Sequence, residues 1–175
     1  MRNFTARIKK GPAVYFISAP TRDHMPIFEL PPLAKQAAIQ LGRASADINS
    51  PVAGYIVMPS AMMGIVAFKG DHDLGEFVFN YKRLSALAII GLDHGLFHER
   101  LYRKGKFRPW MGRFDQIVIG SNEQLLARLE YMHNEPVRRG LAESPIEYPY
   151  SSAADWAGTR QGLIKIEKEL TWAGI

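Results

Sequence analysis

Apolar positions in the first half of the chain alternate between strand-like runs and helical spacing. Residues 13–18 form a β-prone run, and the apolar residues of the segment 33–48 recur at helical spacing. Two further apolar runs, at residues 52–58 and 61–69, are separated only by a Pro-Ser pair. Because proline cannot donate a hydrogen bond to a β-ladder, this pair predicts the turn of a central hairpin.

The second half of the chain repeats the alternation. Apolar residues of the segment 74–88 follow helical spacing, and residues 115–119 form another β-prone run. Ser121 is a typical N-cap for a helix over residues 122–134, which Pro136 stops or kinks. The order β-α-β-β-α-β, followed by one more helix, predicts an α+β fold. The predicted architecture is ferredoxin-like (split βαβ), an antiparallel sheet with helices on one face plus an added C-terminal helix.

The chain length of 175 residues predicts one compact domain. We expect this domain to span residues 1–155, with residues 156–175 as a C-terminal tail in which residues 162–172 could form a last short helix. A composition of 47% apolar and 22% charged residues is typical of a globular protein with a buried core.

Composition and motifs exclude several functional classes. The chain has no cysteine, which excludes disulfide scaffolds, thiolate metal sites and cysteine nucleophiles. No apolar run reaches the roughly 18 residues of a membrane span, and no signal-peptide pattern follows the N-terminus. No glycine-rich phosphate-binding motif is present, so no nucleotide cofactor is indicated. We therefore expect a cytoplasmic protein that does not contact a membrane.

Basic residues are concentrated in one segment. The 22 Lys and Arg exceed the 17 Asp and Glu, which gives a formal net charge of +5. Residues 100–113 contain no acid, and aromatic residues are interleaved with the basic ones. Cations that contact phosphates and rings that stack on bases are typical of single-strand binding, although a solvated basic loop has the same composition. The basic residues are Arg100, Arg103, Lys104, Lys106, Arg108 and Arg113, and the aromatic ones are Tyr102, Phe107 and Trp110.

The last predicted helix carries a candidate catalytic tyrosine. On a helical wheel, Tyr131 shares one edge with Gln124, Arg128 and Glu135, beside the leucine face. A phenol beside a metal-binding carboxylate suits phosphodiester transesterification, in which a phenolate attacks phosphorus while a metal ion polarises the phosphate oxygens. The alternative is that Tyr131 only seals the edge of the core.

Five stretches carry a family resemblance. The most specific are residues 131–141, with the sequence YMHNEPVRRGL, and residues 148–152, with the sequence YPYSS. The chain resembles the REP-associated tyrosine transposases, which belong with the single-strand insertion-sequence transposases of the tyrosine HUH class. The remaining stretches follow the family's order and spacing, so that most of the segment 10–155 is covered; they are residues 14–17, 55–59 and 110–115.

This resemblance implies an enzyme of DNA transposition or recombination that cleaves and rejoins single-stranded DNA through a 5′-phosphotyrosine, with Mg²⁺ or Mn²⁺. Tyr131 stands at the nucleophile's position and Glu135 at that of the third metal ligand, where the family usually has Asn or Gln. The implied partner is single-stranded or hairpin DNA, with Arg138 and Arg139 adding to the basic segment 100–113. The resemblance also implies a nucleoid-associated protein that acts as a monomer or a homodimer.

The central hairpin departs from the family pattern. Where the family has Met-Pro-Asn-His-hydrophobic-His, this chain has Met-Pro-Ser-Ala-Met-Met at residues 58–63. Ala61 and Met63 thus replace both metal-binding histidines, and neither a methyl group nor a thioether binds a hard divalent cation. Glu135 alone would supply one protein ligand, so we expect Mg²⁺ or Mn²⁺ only if a residual metal site exists.

Two other clusters contain metal-ligating residue types. His94 and His98 would bind one ion from successive turns if their segment were helical, with Asp93 and Glu99 beside them. The Asp-His-Asp run at residues 71–73 is interpreted as a turn and a helix cap.

The sequence therefore favours a DNA-binding protein of the tyrosine transposase family whose strand cleavage is impaired. Two alternatives stay open. One is an active transposase or nuclease that uses Tyr131 with a non-standard metal site, and the other is a degenerate domain recruited as a protein-interaction or regulatory module.

Overall fold

A four-stranded antiparallel sheet forms the centre of the protein. The computed structural model describes residues 12–70 and 73–170. Within them the strands are β1 (Ala13–Pro20), β2 (Val52–Met58), β3 (Ala61–Phe68), β4 (Tyr102–Arg103), β5 (Lys106–Phe107) and β6 (Asp115–Ile119). The strand order of the sheet is β2-β3-β1-β6, and β4 and β5 form a separate small hairpin. Because β3 is antiparallel to both of its neighbours, β1 and β2 run parallel on either side of it.

The three long helices begin where the sequence supplies a cap or a proline. In the described residues they are α1 (Pro31–Asp47), α2 (Leu74–Ile89), α3 (His98–Leu101), α4 (Asn122–His133), α5 (Glu135–Arg138) and α6 (Ala153–Ala157). Asp73 caps α2 by accepting a hydrogen bond from the Glu76 N–H at 3.0 Å, as predicted. Asp71 and His72 of the same run lie outside the described residues. Every helix in residues 12–70 and 73–170 is too short or too polar to cross a bilayer.

Each face of the sheet packs against its own hydrophobic core. Side chains alternate between the two faces along a strand, so Tyr15 and Ile17 of β1 pack on the face that α1 and α2 cover. Val14 and Phe16 point to the other face, where Leu129 of α4 joins them. The two central helices therefore cover one face, and the added helix covers the opposite one.

The predicted order of the main elements is confirmed. The α+β architecture with an antiparallel sheet is present, and the predicted hairpin appears as β2 and β3 joined by Pro59 and Ser60. The helix predicted over residues 122–134 ends at His133, and the chain bends into the short α5, which has Pro136 in its first turn. Proline is tolerated there because the first turn of a helix has no partner for its N–H.

The basic segment is more regular than its composition indicates. It contains the end of α3 and the β4–β5 hairpin, whose two-residue turn is Lys104 and Gly105. Both turn residues have positive φ, 51° and 72°, the backbone that tight hairpins require. Glycine adopts this conformation without strain. Lys104 is therefore the turn residue whose side chain stands on a left-handed backbone.

The helix that could form over residues 162–172 is absent from the described part, residues 162–170, and residues 171–172 lie outside the description. The backbone of this segment instead bonds to the outer edge of β2. The Glu167 N–H donates to the Val52 carbonyl at 2.7 Å, and further up the strand the Val57 N–H donates to the Tyr150 carbonyl at 2.8 Å. The Glu167 N–H is thus used on a strand and not on a helical hydrogen bond, and Tyr150, which precedes this segment, extends the cover of the edge.

Candidate nucleic-acid interface

The candidate tyrosine lies at the C-terminal end of α4. Ser121 caps the start of this helix by accepting a hydrogen bond from the Gln124 N–H at 3.2 Å. Tyr131 stands in the last turn, where its ring packs edge-on against Phe16 of β1 with 6.5 Å between ring centroids. Although this contact seals the core, 47% of the tyrosine remains exposed. The phenol is therefore accessible to a ligand.

Only part of the helix edge predicted by the helical wheel is present: Arg128 and Tyr131 share it, whereas Gln124 and Glu135 do not. The Arg128 guanidinium lies 5.7 Å from the centre of the Phe16 ring, so Arg128 and Tyr131 flank the same aromatic side chain. Gln124 turns back to the start of the helix, where its Oε1 accepts a hydrogen bond from the Gly120 N–H at 2.8 Å. Glu135 belongs to α5 and not to α4.

Glu135 forms salt bridges with two arginines. Its Oε1 accepts a hydrogen bond from Nε of Arg139 at 2.8 Å, and its Oε2 forms a salt bridge with the Arg138 guanidinium. The spacings i, i+3 and i, i+4 bring both arginines to the same side of the short helix. No other salt bridges are found in residues 12–70 and 73–170. Both carboxylate oxygens are therefore occupied by guanidinium groups.

Arg138 also contacts the tyrosine. Its guanidinium carbon lies 4.8 Å from the centre of the Tyr131 ring, and Nη2 donates a hydrogen bond to the Tyr131 carbonyl at 2.6 Å. A cation over an aromatic face is attracted by the ring's quadrupole. We call Tyr131, Glu135, Arg138 and Arg139 the tyrosine cluster. Its net charge is positive, since two guanidinium groups face one carboxylate.

The charge state of Glu135 follows from these contacts. Partial burial acts to raise the pKa of Glu135, but the hydrogen bonds and positive charges of Arg138 and Arg139 outweigh it and hold the pKa below its usual value. The carboxylate is therefore ionised near neutral pH and remains bound to the two arginines.

The hairpin positions do not fit the divalent metal that the resemblance implies. Met63 lies in the same core as Phe16, and Ala61 occupies the same strand face two residues earlier, so both positions lie on the face that α4 covers. A methyl group and a thioether cannot hold a hard cation there. The remaining candidate ligand, Glu135, is bound by arginines. Among the described residues no group of three or more His, Cys, Asp or Glu comes together in a metal-binding arrangement.

The second candidate metal cluster is not assembled either. His94 lies in a turn with φ of 49° before α3 begins at His98, so the two imidazoles are not on successive turns of one helix. Asp93 is buried and accepts a hydrogen bond from the Phe97 N–H at 3.0 Å. The His98 ring stacks on Tyr102 with 4.1 Å between ring centroids. These residues shape the turn before the basic segment.

All six basic residues of the segment 100–113 are exposed. None of them forms a salt bridge with another described residue. The segment is fastened to the end of β1, because Nε of Arg22 donates to the Arg108 carbonyl at 2.8 Å and the Met111 N–H donates to the Pro20 carbonyl at 3.1 Å. The basic surface is thus held in a fixed position relative to the sheet.

Trp110 requires a correction. The sequence predicts it as a ring for base stacking, but it is only 5% exposed and packs between Phe28 and Tyr81, with centroid separations of 5.3 and 5.5 Å. Its Nε1 donates a hydrogen bond to the Ser85 hydroxyl at 2.9 Å. The ring is part of the core that α2 covers and is not available to a base.

The end of α4 is locked by a contact that the sequence does not reveal. Nε2 of His133 lies 2.8 Å from the Ser152 hydroxyl, which also accepts a hydrogen bond from the Tyr55 N–H at 2.9 Å. Burial lowers the pKa of His133 to about 4, so the imidazole is neutral at physiological pH. This chain of contacts fixes the tyrosine-bearing turn relative to β2.

A solved structure with the same fold is available for comparison. A REP-associated tyrosine transposase bound to a REP hairpin is similar over 100% of this chain and 98% of its own, with a TM-score of 0.68 and 17% sequence identity. A candidate transposase from Deinococcus radiodurans is similar over 77% of this chain and 98% of its own, with a TM-score of 0.49 and 16% identity. No protein-family profile matches the sequence, and no curated protein matches it significantly. The fold of this chain is therefore that of a tyrosine transposase.

Proposed function

We propose that the protein binds single-stranded or hairpin DNA through its phosphates and that its strand cleavage is impaired. The tyrosine cluster carries this proposal, because it places two arginines beside an exposed phenol where the available side chains do not fit a divalent metal. Arginine binds phosphate oxygens bidentately without the help of a metal ion. The transposase of the same fold was solved bound to a hairpin, which supports DNA as the ligand class.

The basic segment supports the same ligand. Its exposed cations are not neutralised by described acidic residues, and the segment is fastened to β1 at Pro20. Phe16, which contacts Tyr131, lies four residues earlier on the same strand, about 13 Å away at the usual rise per residue. Both cationic surfaces are therefore anchored to the same strand of the sheet.

Impaired cleavage follows from the chemistry of the site. Phosphodiester transesterification by a tyrosine uses a metal ion to polarise the phosphate oxygens. The tyrosine cluster supplies guanidinium groups that bind a phosphate, but Ala61 and Met63 supply no ligand for the metal. DNA binding and cleavage are therefore separable in this protein. Such a DNA-binding protein would work in the cytoplasm at the nucleoid, as a monomer or a homodimer.

A salt titration of binding tests the proposal. Fluorescence anisotropy with a labelled single strand that contains a hairpin is recorded from low to physiological salt. Binding should weaken as salt rises, because bound cations release counterions from phosphates. The variant Arg103→Glu/Lys104→Glu should reduce the salt slope by at least about 1.4, since each lost contact to a single strand removes about 0.7.

The matched control carries the same change of charge elsewhere. Lys35 and Arg43 are exposed on α1, which covers the face of the sheet opposite α4. Lys35→Glu/Arg43→Glu lowers the net charge equally but should leave the salt slope unchanged. Equal slopes for both double variants and the unmodified protein would contradict the proposed surface. Absence of DNA binding at low salt would instead favour a protein-interaction module.

A further inference from the structure

Part of the basic segment 100–113 borders a groove on the side of the molecule that faces away from the tyrosine cluster. The outer stripe of α2 and the segment 106–112 form the two walls of a groove of about 610 Å³. This volume lies within the usual range for a ligand-binding cleft. Trp110, buried beneath it, belongs to both the groove and the core. Because α2 packs on the face opposite α4, the groove is separate from Tyr131.

The α2 wall combines an exposed ring with a cation. Phe79, Arg83 and Leu87 are spaced four residues apart and so line one side of the helix. Phe79 is 70% exposed and Leu87 62% exposed, the values of side chains with little contact to the core. A solvent-facing aromatic residue on an amphipathic helix gains nothing for folding, so its position in a groove points to a ligand.

The cations of the groove fall into two groups. Arg22, which follows β1, donates to the carbonyls of Arg108 and Trp110, and Nζ of Lys82 donates to those of Met111 and Arg113 at 2.8 and 3.0 Å. Lys82 thereby ties α2 to the second wall. Arg83 donates to the Asn80 side chain at 2.9 Å, and neither it nor the remaining pair forms a salt bridge with any described residue. That remaining pair is Lys106 and Arg108.

The composition of the walls selects one class of ligand. The groove contains five cations and no acidic residue, so it favours a polyanion. An exposed phenyl ring beside these cations favours a flat aromatic group on the same ligand, because base–aromatic stacking is the common device of single-strand binding. A duplex keeps its bases paired and stacked, and its bases cannot reach the ring.

We propose that this groove binds an unpaired stretch of single-stranded nucleic acid, with one base stacked on Phe79 and the neighbouring phosphates contacted by Arg83, Lys106 and Arg108. This inference rests on the proposed DNA-binding function and assigns part of it to a surface remote from Tyr131. It also supplies the stacking ring that Trp110, buried in the core, does not provide.

Two probes of equal charge separate stacking from charge attraction. One is a labelled oligothymidine of about 12 nucleotides, a length typical of single-strand sites, and the other is an abasic strand of the same length. The unmodified protein should bind oligothymidine more tightly than the abasic strand. Phe79→Leu should weaken binding of oligothymidine roughly 5- to 150-fold, as expected for the loss of one stacked base, and leave binding of the abasic strand unchanged. Phe79→Trp should retain the affinity.

The control is Leu126→Ala, which removes an exposed apolar side chain from α4 on the other face of the sheet and should change neither affinity. Urea unfolding of each variant checks that the fold is kept. If the unmodified protein binds both strands equally, or if Phe79→Leu weakens both strands to the same extent, the groove does not stack a base and the inference fails while DNA binding stands.

Two further outcomes also overturn the inference. Binding to neither strand removes the proposed DNA-binding function together with the groove's role in it. Binding of an acidic, leucine-rich peptide that depends on Phe79, without any dependence of DNA binding on this residue, assigns the groove to a protein partner.

Discussion

The guanidinium of Arg138 lies 4.8 Å from the centre of the Tyr131 ring while it is salt-bridged to Glu135. One side chain therefore connects Tyr131, the candidate nucleophile, with Glu135, the residue that the resemblance implies as a metal ligand. The positive charge beside the phenol comes from a fixed guanidinium. A phosphate that enters this site meets a hydrogen-bond donor with planar geometry.

The arginine pair should control the salt dependence of DNA binding. Arg138→Gln and Arg139→Gln should each reduce the salt slope by about 0.7 if each side chain contacts one phosphate of a single strand. Arg138→Lys should keep most of the slope but lose affinity, because an ammonium group cannot reproduce the contacts to Glu135 and to the Tyr131 carbonyl that orient the guanidinium. Anisotropy titrations at several salt concentrations measure both effects. Arg43→Gln, on the opposite side of the sheet, is the control; an equal effect there would contradict a local contact.

Strand cleavage should be absent from the unmodified protein and should return only when the metal-binding side chains are restored. Ala61→His/Met63→His places two imidazoles on one strand face, and adding Arg138→Gln/Arg139→Gln frees the Glu135 carboxylate. We expect the fourfold variant to bind Mn²⁺ more tightly than the double variant, as measured by electron paramagnetic resonance.

Denaturing electrophoresis with a labelled hairpin-containing strand and Mn²⁺ tests the chemistry itself. A covalent adduct should form in the fourfold variant and disappear when Tyr131→Phe is added. An adduct formed readily by the unmodified protein would refute the proposal that its strand cleavage is impaired. An adduct that survives Tyr131→Phe would exclude this tyrosine as the nucleophile.

A buried and an exposed aromatic residue of the groove should differ in their contribution to stability. Trp110→Ala removes a buried ring and its hydrogen bond to Ser85, so we expect a loss of about 3–5 kcal/mol in the free energy of unfolding. Phe79→Ala removes an exposed ring and should change stability by less than about 0.5 kcal/mol. Urea unfolding measures both. Comparable losses would mean that Phe79 is packed in solution.

His133 should make stability depend on pH in a defined window. Its folded-state pKa of about 4 lies below the reference value near 6.5, so the unfolded chain binds a proton between these values while the folded chain does not. Stability is therefore complete above about pH 6.5 and falls as the pH is lowered. Between pH 7 and pH 5 we expect a loss of about 2 kcal/mol. His133→Gln should abolish this loss in urea unfolding, whereas His98→Gln, at an exposed position, should not.

The sequence predicted best what depends on periodicity and capping. The hairpin β2–β3 and the helix α4 appear almost at their predicted bounds, because a Pro-Ser turn and a Ser N-cap fix them locally. The pairing of Glu135 with Arg138 and Arg139 also had a local signal, since the three residues have i, i+3 and i, i+4 spacing. The same spacing is compatible with Glu135 as a metal ligand, so the sequence alone does not decide between the two roles.

What the sequence could not predict depends on contacts between distant segments. Trp110 follows a run of exposed cations, and only the anchoring of this segment to Pro20 turns its ring into the core. His133 and Ser152 are separated by 19 residues, and no periodicity relates them. Phe79 lies outside the buried face of α2 that the apolar spacing predicts. A phenylalanine on the polar face of an amphipathic helix is the signal that would have found it.

The backbone segments at Tyr150 and Glu167 that bond to the outer edge of β2 protect this strand from aggregation. An uncovered edge strand presents a row of free N–H and C=O groups to which another molecule can add a strand, the first step of aggregation. Residues such as Tyr150 and Glu167 already bond to β2, so among the described elements this edge is closed to a second molecule. The opposite edge, β6, carries the half-exposed Ile117 and Val118 and pairs only with β1 within the described residues. Intermolecular growth of the sheet is therefore directed to β6, and truncation before Tyr150 would open a second growing edge.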